Sequence, residues 1–423
     1  MKYRTYVIGA VAVLSFMFSV DRVVMSIFQE SIKADFGLSD TQLGLLTGLA
    51  YALLGGFAGI PIARLADRWN RKMVLSAGFM LWTVMTAACG LAASFWHLAI
   101  ARMGVGLGEA SYGPAGLSLI GDYYPREERA GAIAVSRAGE FLGVFGGLVA
   151  GGVLLQAVGW RAGFAVLGIV GIVCATIFSL TVREPERVDE REANTSAAQL
   201  SWRTMFGEPV AFALLIGAFT SSLAVGGAVG AWLPSYFSRA FALTPVQIGT
   251  GLGVCLGVAS TIGTIVGGVI GNRFMRNSRA WAAAFATGIA WIVGPFFLAT
   301  FHAPTPTLAF GCLFVAFLVA GAQVGPVLAM VQDLVAPGAR ATAIGVLGLA
   351  GVIVGAGVGP VIVGVISDWA RTDQTGAAGL RLALTSVASV YLVTGFLFLT
   401  LYRRLKRARH GVPDAGAQAA SAA

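Results

Sequence analysis

The sequence predicts an all-α membrane protein with twelve transmembrane helices, arranged as two six-helix bundles related by a pseudo-two-fold axis. Three observations predict it. The 423-residue chain is 57% hydrophobic and only 12% charged, against roughly 25% charge in an average soluble domain. Apolar runs reaching the roughly 20 residues that a helix needs to cross a hydrocarbon core recur along nearly the whole length. Motifs of the first half return in the second in the same order. Barrel strands would be about half as long and would alternate polar with apolar, so the runs are read as helices.

The elements follow in order. The first run, about 5–29, comes after Lys2 and Arg4 as a secretory signal would. It holds Asp21-Arg22, continues to Phe28 and shows no small-x-small cleavage site, so a retained helix is expected. Runs at about 41–63, 73–95, 97–121, 130–157 and 162–182 complete a first bundle, residues 1–182. Arg183-Glu184-Pro185-Glu186-Arg187 is too charged to enter a membrane and opens a cytoplasmic linker, 183–208, in which Gln199 to Phe206 fits a short interfacial amphipathic helix. Runs at about 209–236, 246–271, 280–301, 306–332, 341–367 and 380–402 form a second bundle, 209–404. The remainder, 405–423, ends small and polar and is expected to be a disordered cytoplasmic tail.

Internal repetition supports the halving. Leu38-Ser39-Asp40-Thr41-Gln42-Leu43-Gly44 reappears 205 residues on as Leu243-Thr244-Pro245-Val246-Gln247-Ile248-Gly249. At the same offset Asp67-Arg68-Trp69-Asn70-Arg71 aligns with Asn272-Arg273-Phe274-Met275-Arg276. Asp122 and Arg129 to Val135 return 211 residues later as Asp333 and Arg340 to Val346. Two parallel six-helix repeats about an axis normal to the membrane enclose a cavity at their interface, which rocking exposes to one side at a time.

Charge gives the orientation. With both termini cytoplasmic, inner segments hold 21 of the 29 basic residues, while Lys33, Arg161, Arg239, Arg371 and Arg381 fall in outer loops. This bias follows the positive-inside rule and places the chain as a multi-pass protein of the cell membrane, the inner membrane if bacterial. The net charge of +9 then reflects orientation and contact with membrane lipid and predicts no nucleic-acid partner. Cys89, Cys174, Cys255 and Cys312 lie within spans without metal or disulfide spacing, and His97, His302 and His410 stand near span ends. No metal, cofactor or enzymatic chemistry is expected from such a set, and no phosphate-binding loop of the Gly-x-x-x-x-Gly-Lys-Ser/Thr type is present.

The segment Ala63-Arg64-Leu65-Ala66-Asp67-Arg68-Trp69-Asn70-Arg71-Lys72 resembles the signature loop after helix 2 of the major facilitator superfamily, with Ala63 and Asn70 where glycine is usual. Three features together look like the Spinster-type lysolipid transporters of that superfamily: Asp21-Arg22, the change at Asn70, and Arg102 to Tyr112 (RMGVGLGEASY) in helix 4. The resemblance implies the major facilitator fold and transport of a lysophospholipid or sphingoid phosphate.

Side-chain chemistry can be read beside that resemblance. Asp67, with Arg68 and Arg71, and with Arg129 and Arg340 as equivalent positions in the two halves, is expected to latch the cytoplasmic side in one state; solvated anchoring charges are the alternative. Asp21, Arg22, Arg102, Glu109, Arg137 and Glu140 lie in otherwise apolar spans, where each charge costs several kcal/mol unless paired or wetted. Arg102 is expected about 8 Å deep and Glu109 about 18 Å, on one face of helix 4 at ~1.5 Å per residue. Arg22 and Arg102 would hold an anionic head group. Asp21 and Glu109 would hold those arginines, and Asp21, Glu109 or Glu140 would carry a proton; a permanent buried ion-pair network is the alternative, and Arg137 and Glu140 could simply satisfy each other.

Phe141, Phe145, Phe219, Trp232, Tyr236 and Trp291 are candidate cavity walls, and Thr220, Ser221, Ser222, Thr264 and Gln323 candidate polar contacts. Of these Phe141, Trp232 and Gln323 join Arg22, Arg102 and Glu109 as the expected substrate-binding set. Gly139, Gly143, Gly147 and Gly151, like Gly351, Gly355 and Gly359, form small-residue faces, read either as a sliding seam between the halves or as tight packing. The expected function is alternating-access transport, by a monomer, of a lysolipid or other amphipathic anion with proton coupling. A proton-linked drug or organic-anion exporter is the nearest alternative; a lipid scramblase, a channel and a membrane enzyme are more distant ones.

Overall fold

The computed structural model describes residues 2–185, 208–275, 279–335, 340–372 and 376–410. The expected interfacial helix near 199–206 and the chain after 410 lie outside them, as do the side chains of Asp67 and Arg340.

The structure is helical throughout its spans. The first half runs through α1 (Lys2–Phe36), α2 (40–68), α3 (Arg71–Gly90), α4 (95–123), α5 (126–158) and α6 (160–181). The second runs through α7 (Pro209–Phe241), α8 (245–275), α9 (Arg279–His302), α10 (306–334), α11 (340–369) and α12 (Ala377–His410). Among the described residues, ten continuous stretches have the length and hydropathy of a span. One of these is two helices, because Gly159 at φ 77°, ψ 172° folds the chain back in a conformation that favours glycine. The twelfth is α4, split at Ala110-Ser111 into pieces of 15 and 12 residues. Alternation puts Lys2 and His410 on one face, called the terminal face; the turns around 37–39 and 242–244 and the end of α11 near 370–372 form the far face.

The repeated motif has a local physical meaning. Ser39 accepts from Gln42 N at 3.2 Å while Gln42 Oε1 accepts from Ser39 N at 2.9 Å, a reciprocal cap on α2. Thr244 and Gln247 build the same box on α8. Asn70, at the position where glycine is usual, caps α3 by accepting from Met73 N at 2.8 Å. Helices overrun their expected ends: α1 reaches Phe36 and α7 reaches Phe241, so Lys33 and Arg239, read from sequence as loop charges, stand inside last turns.

The glycine faces correct one reading. Gly139 and Gly143 lie against the Ala12 and Phe16 carbonyls, Gly147 against Val20 and Val23, and Gly151 against Val24, all on α1 of the same half. Gly351 and Gly355 pack on Leu223, and Gly359 on the Ala224 carbonyl, again within one half. They are tight packing rather than an inter-half seam. The seams use neighbouring faces. Between α2 and α11, Gly44 abuts the Pro360 carbonyl, Gly48 that of Gly357, and Gly364 that of Asp40. Between α5 and α8, Gly249 abuts the Leu148 carbonyl and Gly152 that of Pro245, while Phe145 fills the notch left by Gly253 and Gly257. Only residues without Cβ let these backbones touch. Single π-helical stretches, Leu45–Leu49, Gly253–Ala259 and Gly351–Val358, interrupt α2, α8 and α11 at the same seams.

Both seams lie toward the far face, and the halves part toward the terminal one. On α5 the near-consecutive Ile133, Ala134, Val135, Arg137 and Ala138 are all exposed. At about 100° per residue they cover more of the helix than a lipid-facing arc, so part of this surface lines a cleft between the halves.

Two glycine substitutions separate packing from seam. Gly139→Leu should lower the thermal stability of the purified protein by about 1–3 kcal/mol through overpacking against α1. Gly249→Leu should instead push α5 and α8 apart and raise the maleimide reactivity of a cysteine placed at the neighbouring, buried Ile248. Equal behaviour of the two variants in both assays would contradict this division.

Candidate functional site

Consecutive residues on a helix point about 100° apart, and α1 uses this to serve two environments. Asp21 turns into its own bundle, where Thr86 on α3 donates to Oδ2 at 2.5 Å. Arg22 turns toward the other half and is exposed although it lies deep in the span, because it opens into a cavity of about 230 Å³ between the bundles.

That cavity has two kinds of wall. Helix α1 contributes Ser19, Arg22, Val23 and Ser26, spaced to share one face, and α2 and α4 add Thr47, Tyr51 and Arg102. The rest of the lining is apolar and includes Gly226, Gly227, Gly230 and Ala231 of α7 and Leu256 of α8 from the second half, and Val144 and Leu148 of α5 from the first.

Tyr51 organises the charged wall. A Cβ at Gly106 would collide with the Tyr51 carbonyl, so the glycine in α4 lets α2 come close enough to place this ring. Its hydroxyl donates to Glu109 Oε2 at 2.5 Å. Its ring lies 5.7 Å from the Arg22 guanidinium carbon and 5.5 Å from that of Arg102, both within cation–π range. Arg102 is 2% exposed, and its Nε and Nη1 have no hydrogen-bond partner. Asp21 Oδ1 and Glu109 Oε1 are likewise unpartnered. The expected carboxylate–arginine pairs are therefore replaced. Thr86 and Tyr51 approach Asp21 and Glu109 first, and the guanidinium groups of Arg22 and Arg102 turn to Tyr51 and the cavity. A buried donor without an acceptor is costly, as is a buried carboxylate oxygen without a donor.

The other expected residues are distributed as follows. Glu140 accepts from Tyr112 at 2.7 Å and from Arg137 at 2.9 Å, and Tyr112 continues to Ser15 at 2.8 Å, a polar chain within the first half toward the terminal face. Phe141 is half-buried on α5 and does not line the cavity. Trp232 is fully buried and its indole donates to the Pro360 carbonyl at 2.9 Å, tying α7 to α11. Gln323 is 3% exposed with Nε2 unpartnered, in the break of α10. On the terminal face Arg71 pairs with Asp122, and Arg129 donates to the Gly121 and Tyr124 carbonyls at 3.0 Å each. Arg68 is exposed. Among the described residues no cluster of metal-ligating side chains occurs.

A charge cluster at the far face escapes the sequence reading. Arg239 of α7 donates to Glu30 at 2.8 Å and through Nη1 and Nη2 to Asp40 at 2.7 Å each, crossing between the halves. Lys33 pairs with Asp40 from within the first half, and Ser367 of α11 donates to Asp40 Oδ2 at 2.6 Å. Asp368 of α11 accepts from Asp40 N at 3.0 Å and from Thr41 N and Oγ1 at 2.7 Å, so a carboxylate of one half caps a helix of the other. Among the described residues the ion pairs joining the halves lie here, over the closed end of the cavity. Asp40 sits inside the repeated motif, and its replacement by Pro245 in the second copy was the available signal.

Comparison with known proteins agrees with this architecture. The family model of the Major Facilitator Superfamily matches residues 9–360. The chain belongs to the Major Facilitator Superfamily. It superposes with a TM-score of 0.87 on the crystal structure of a bacterial homolog of the human lysosomal transporter Spinster, inward-facing and unoccupied, at 28% identity over 96% of this chain and 98% of that one. An MFS-type efflux pump of Mycolicibacterium smegmatis is 27% identical over 95% of this chain and 93% of its own length. The mouse sphingosine-1-phosphate transporter SPNS2 is 29% identical, the match covering 52% of this chain and 41% of that transporter. The superfamily assignment makes the chain a multi-pass membrane transporter, and the two-walled cavity its candidate substrate site.

The far cluster yields a test. Removing Arg239 leaves Glu30 and Asp40 short of a counter-charge, which should cost the closed far side about 3–5 kcal/mol. In a background lacking the native cysteines, Ala231→Cys should then react faster with a membrane-impermeant maleimide from the far side when Arg239→Gln is present. An unchanged rate would show that the cluster does not hold the far side shut.

Proposed function

We propose that this transporter carries a lysolipid or a related single-chain amphipathic anion, such as a lysophospholipid or sphingoid phosphate, by alternating access with proton coupling. The observation that carries this reading is the cavity with two unlike walls: Arg22 and Arg102 around Tyr51 on one side, glycine and aliphatic residues on the other. Planar guanidinium donors suit phosphate oxygens, and the facing wall offers an acyl chain no polar group to desolvate. Similarity to the Spinster homolog and to SPNS2 supports the substrate class.

Proton coupling would run through Tyr51. One end of this residue touches Glu109, and the other underlies both arginines. A proton on Glu109 and an anion on Arg22 and Arg102 then act on the same side chain, which gives the two ligands a reciprocal coupling free energy. Asp21 and Glu140 are the further candidates for the proton's route. The terminal-face cluster of Asp67, Arg68, Arg71, Arg129 and Arg340 would take over closure when the far side opens. The 21 basic residues assigned to the terminal face support a cytoplasmic location for both termini in the cell membrane, and the protein would act as a monomer.

A second reading, a proton-linked exporter of drugs or organic anions, is favoured by the near full-length similarity to the efflux pump. Proteoliposome flux separates the two: radiolabelled lysophospholipid should be carried and competed, and hydrophilic organic anions should not. Arg102→Gln should weaken lysophospholipid binding by about 1.5–3 kcal/mol, roughly tenfold to a hundredfold. Glu109→Gln should abolish stimulation by an imposed pH gradient while leaving binding measurable. Full gradient-driven flux in Glu109→Gln would remove the coupling role.

A further inference from the structure

Three glycines of α7 line the cavity, and they differ in what requires them. A Cβ at Gly227 would stand 2.6 Å from the Gly355 carbonyl, so packing of α7 on α11 requires that glycine. A Cβ at Gly226 would meet nothing within 4 Å, and one at Gly230 only the tip of Leu256 at 4.0 Å. Both residues line the cavity, so the space before them is cavity. Glycine inside a helix forfeits stability relative to alanine, and at these two positions no neighbouring backbone compensates for it. They are four residues apart and share one face.

The same cavity is bounded by Arg102, a 2%-exposed cation whose Nε and Nη1 are unpartnered, on the first half. Gly226 and Gly230 belong to the second half, and the aliphatic side chains of Val144, Leu148 and Leu256 flank the space.

We propose that Gly226 and Gly230 are specificity-determining residues: they keep open a slot on α7 that receives the apolar tail of the ligand whose anionic end is held by Arg22 and Arg102. The inference rests on the amphipathic-anion reading above and adds to it that tail length is read at Gly226 and Gly230 of the second half. Bulk added at either glycine shortens the slot without touching the anion end. The ligand bridges the halves, its charge on α1 and α4 of the first and its chain between α7 and α8 of the second and the Val144 and Leu148 side chains of α5.

The test uses the purified full chain in detergent, with octyl phosphate and hexadecyl phosphate as probes at matched micellar mole fraction, binding being read by thermal shift. Gly226→Leu and Gly230→Leu should weaken hexadecyl phosphate by roughly tenfold or more relative to the unsubstituted protein. Octyl phosphate should be held as before. Gly226→Ala, which adds one methyl group to open space, should show the same bias to a smaller degree and keeps the test decisive if a leucine variant does not fold. Equal weakening of both probes, or no change for the long one, would overturn the slot. Failure of the unsubstituted protein to bind either probe would overturn the amphipathic-anion reading itself, a result distinct from failure of the glycine variants alone.

Discussion

Hydrocarbon does not solvate charge, and that constraint decides where this chain can be polar. Among the described side chains, the charges within spans gather where the two bundles face each other or where a neighbour supplies a hydroxyl. Arg22 escapes lipid by opening into the cavity, and Arg102 by lying against Tyr51. Asp21 escapes by taking the Thr86 hydroxyl. The bundles must therefore enclose a wet space around α1, α2 and α4, and the backbone contacts that close its far end exist because glycine stands at Gly44, Gly48, Gly152 and Gly249.

The far cluster would obey the same constraint if the far side opened. Lys33 and Asp40 belong to one half, Arg239 and Asp368 to the other. If the far side parts, Asp40 keeps Lys33, while Arg239 and Asp368 are released together on the same half. Each half then leaves with opposite charges of its own, so opening need not strand a lone ion in the membrane. Lys33, redundant for closure, acquires a reason in the open state.

Much of the fold was legible because its signals are local or periodic. Span length, the charge asymmetry and the paired Ser39 and Thr244 caps are properties of short segments, and α1 to α12 appear in the expected order. Arg22, Arg102 and Glu109 were legible as charges in apolar surroundings, and the structure brings them around one tyrosine. Tyr51 itself was not, since an aromatic residue in a span carries no mark of which neighbour it meets; its placement depends on a glycine contact 55 residues away at Gly106. Trp232 was read as a cavity wall because its size draws attention, whereas its indole is spent on Pro360. The glycine faces left two readings open for a related reason: spacing by four shows that a helix is approached closely but not by which helix. The Arg239 cluster depended on two helices overrunning their apolar ends, and hydropathy is weakest at such boundaries.

The duplicated halves have diverged in a way that explains why both are needed. The break at Ala110-Ser111 in α4 recurs at Ala322-Gln323 in α10, so the backbone device is retained. Its chemistry is not: Glu109 precedes the first break, while Gly321 precedes the second. Charge is concentrated on α1 and α4, and the corresponding surface of α7 is stripped to glycine at Gly226 and Gly230. A ligand satisfied by only one wall would stabilise neither arrangement of the bundles over the other. One that needs both walls would have a different free energy in each arrangement, and under the proposed alternating access that difference would let its binding bias the motion.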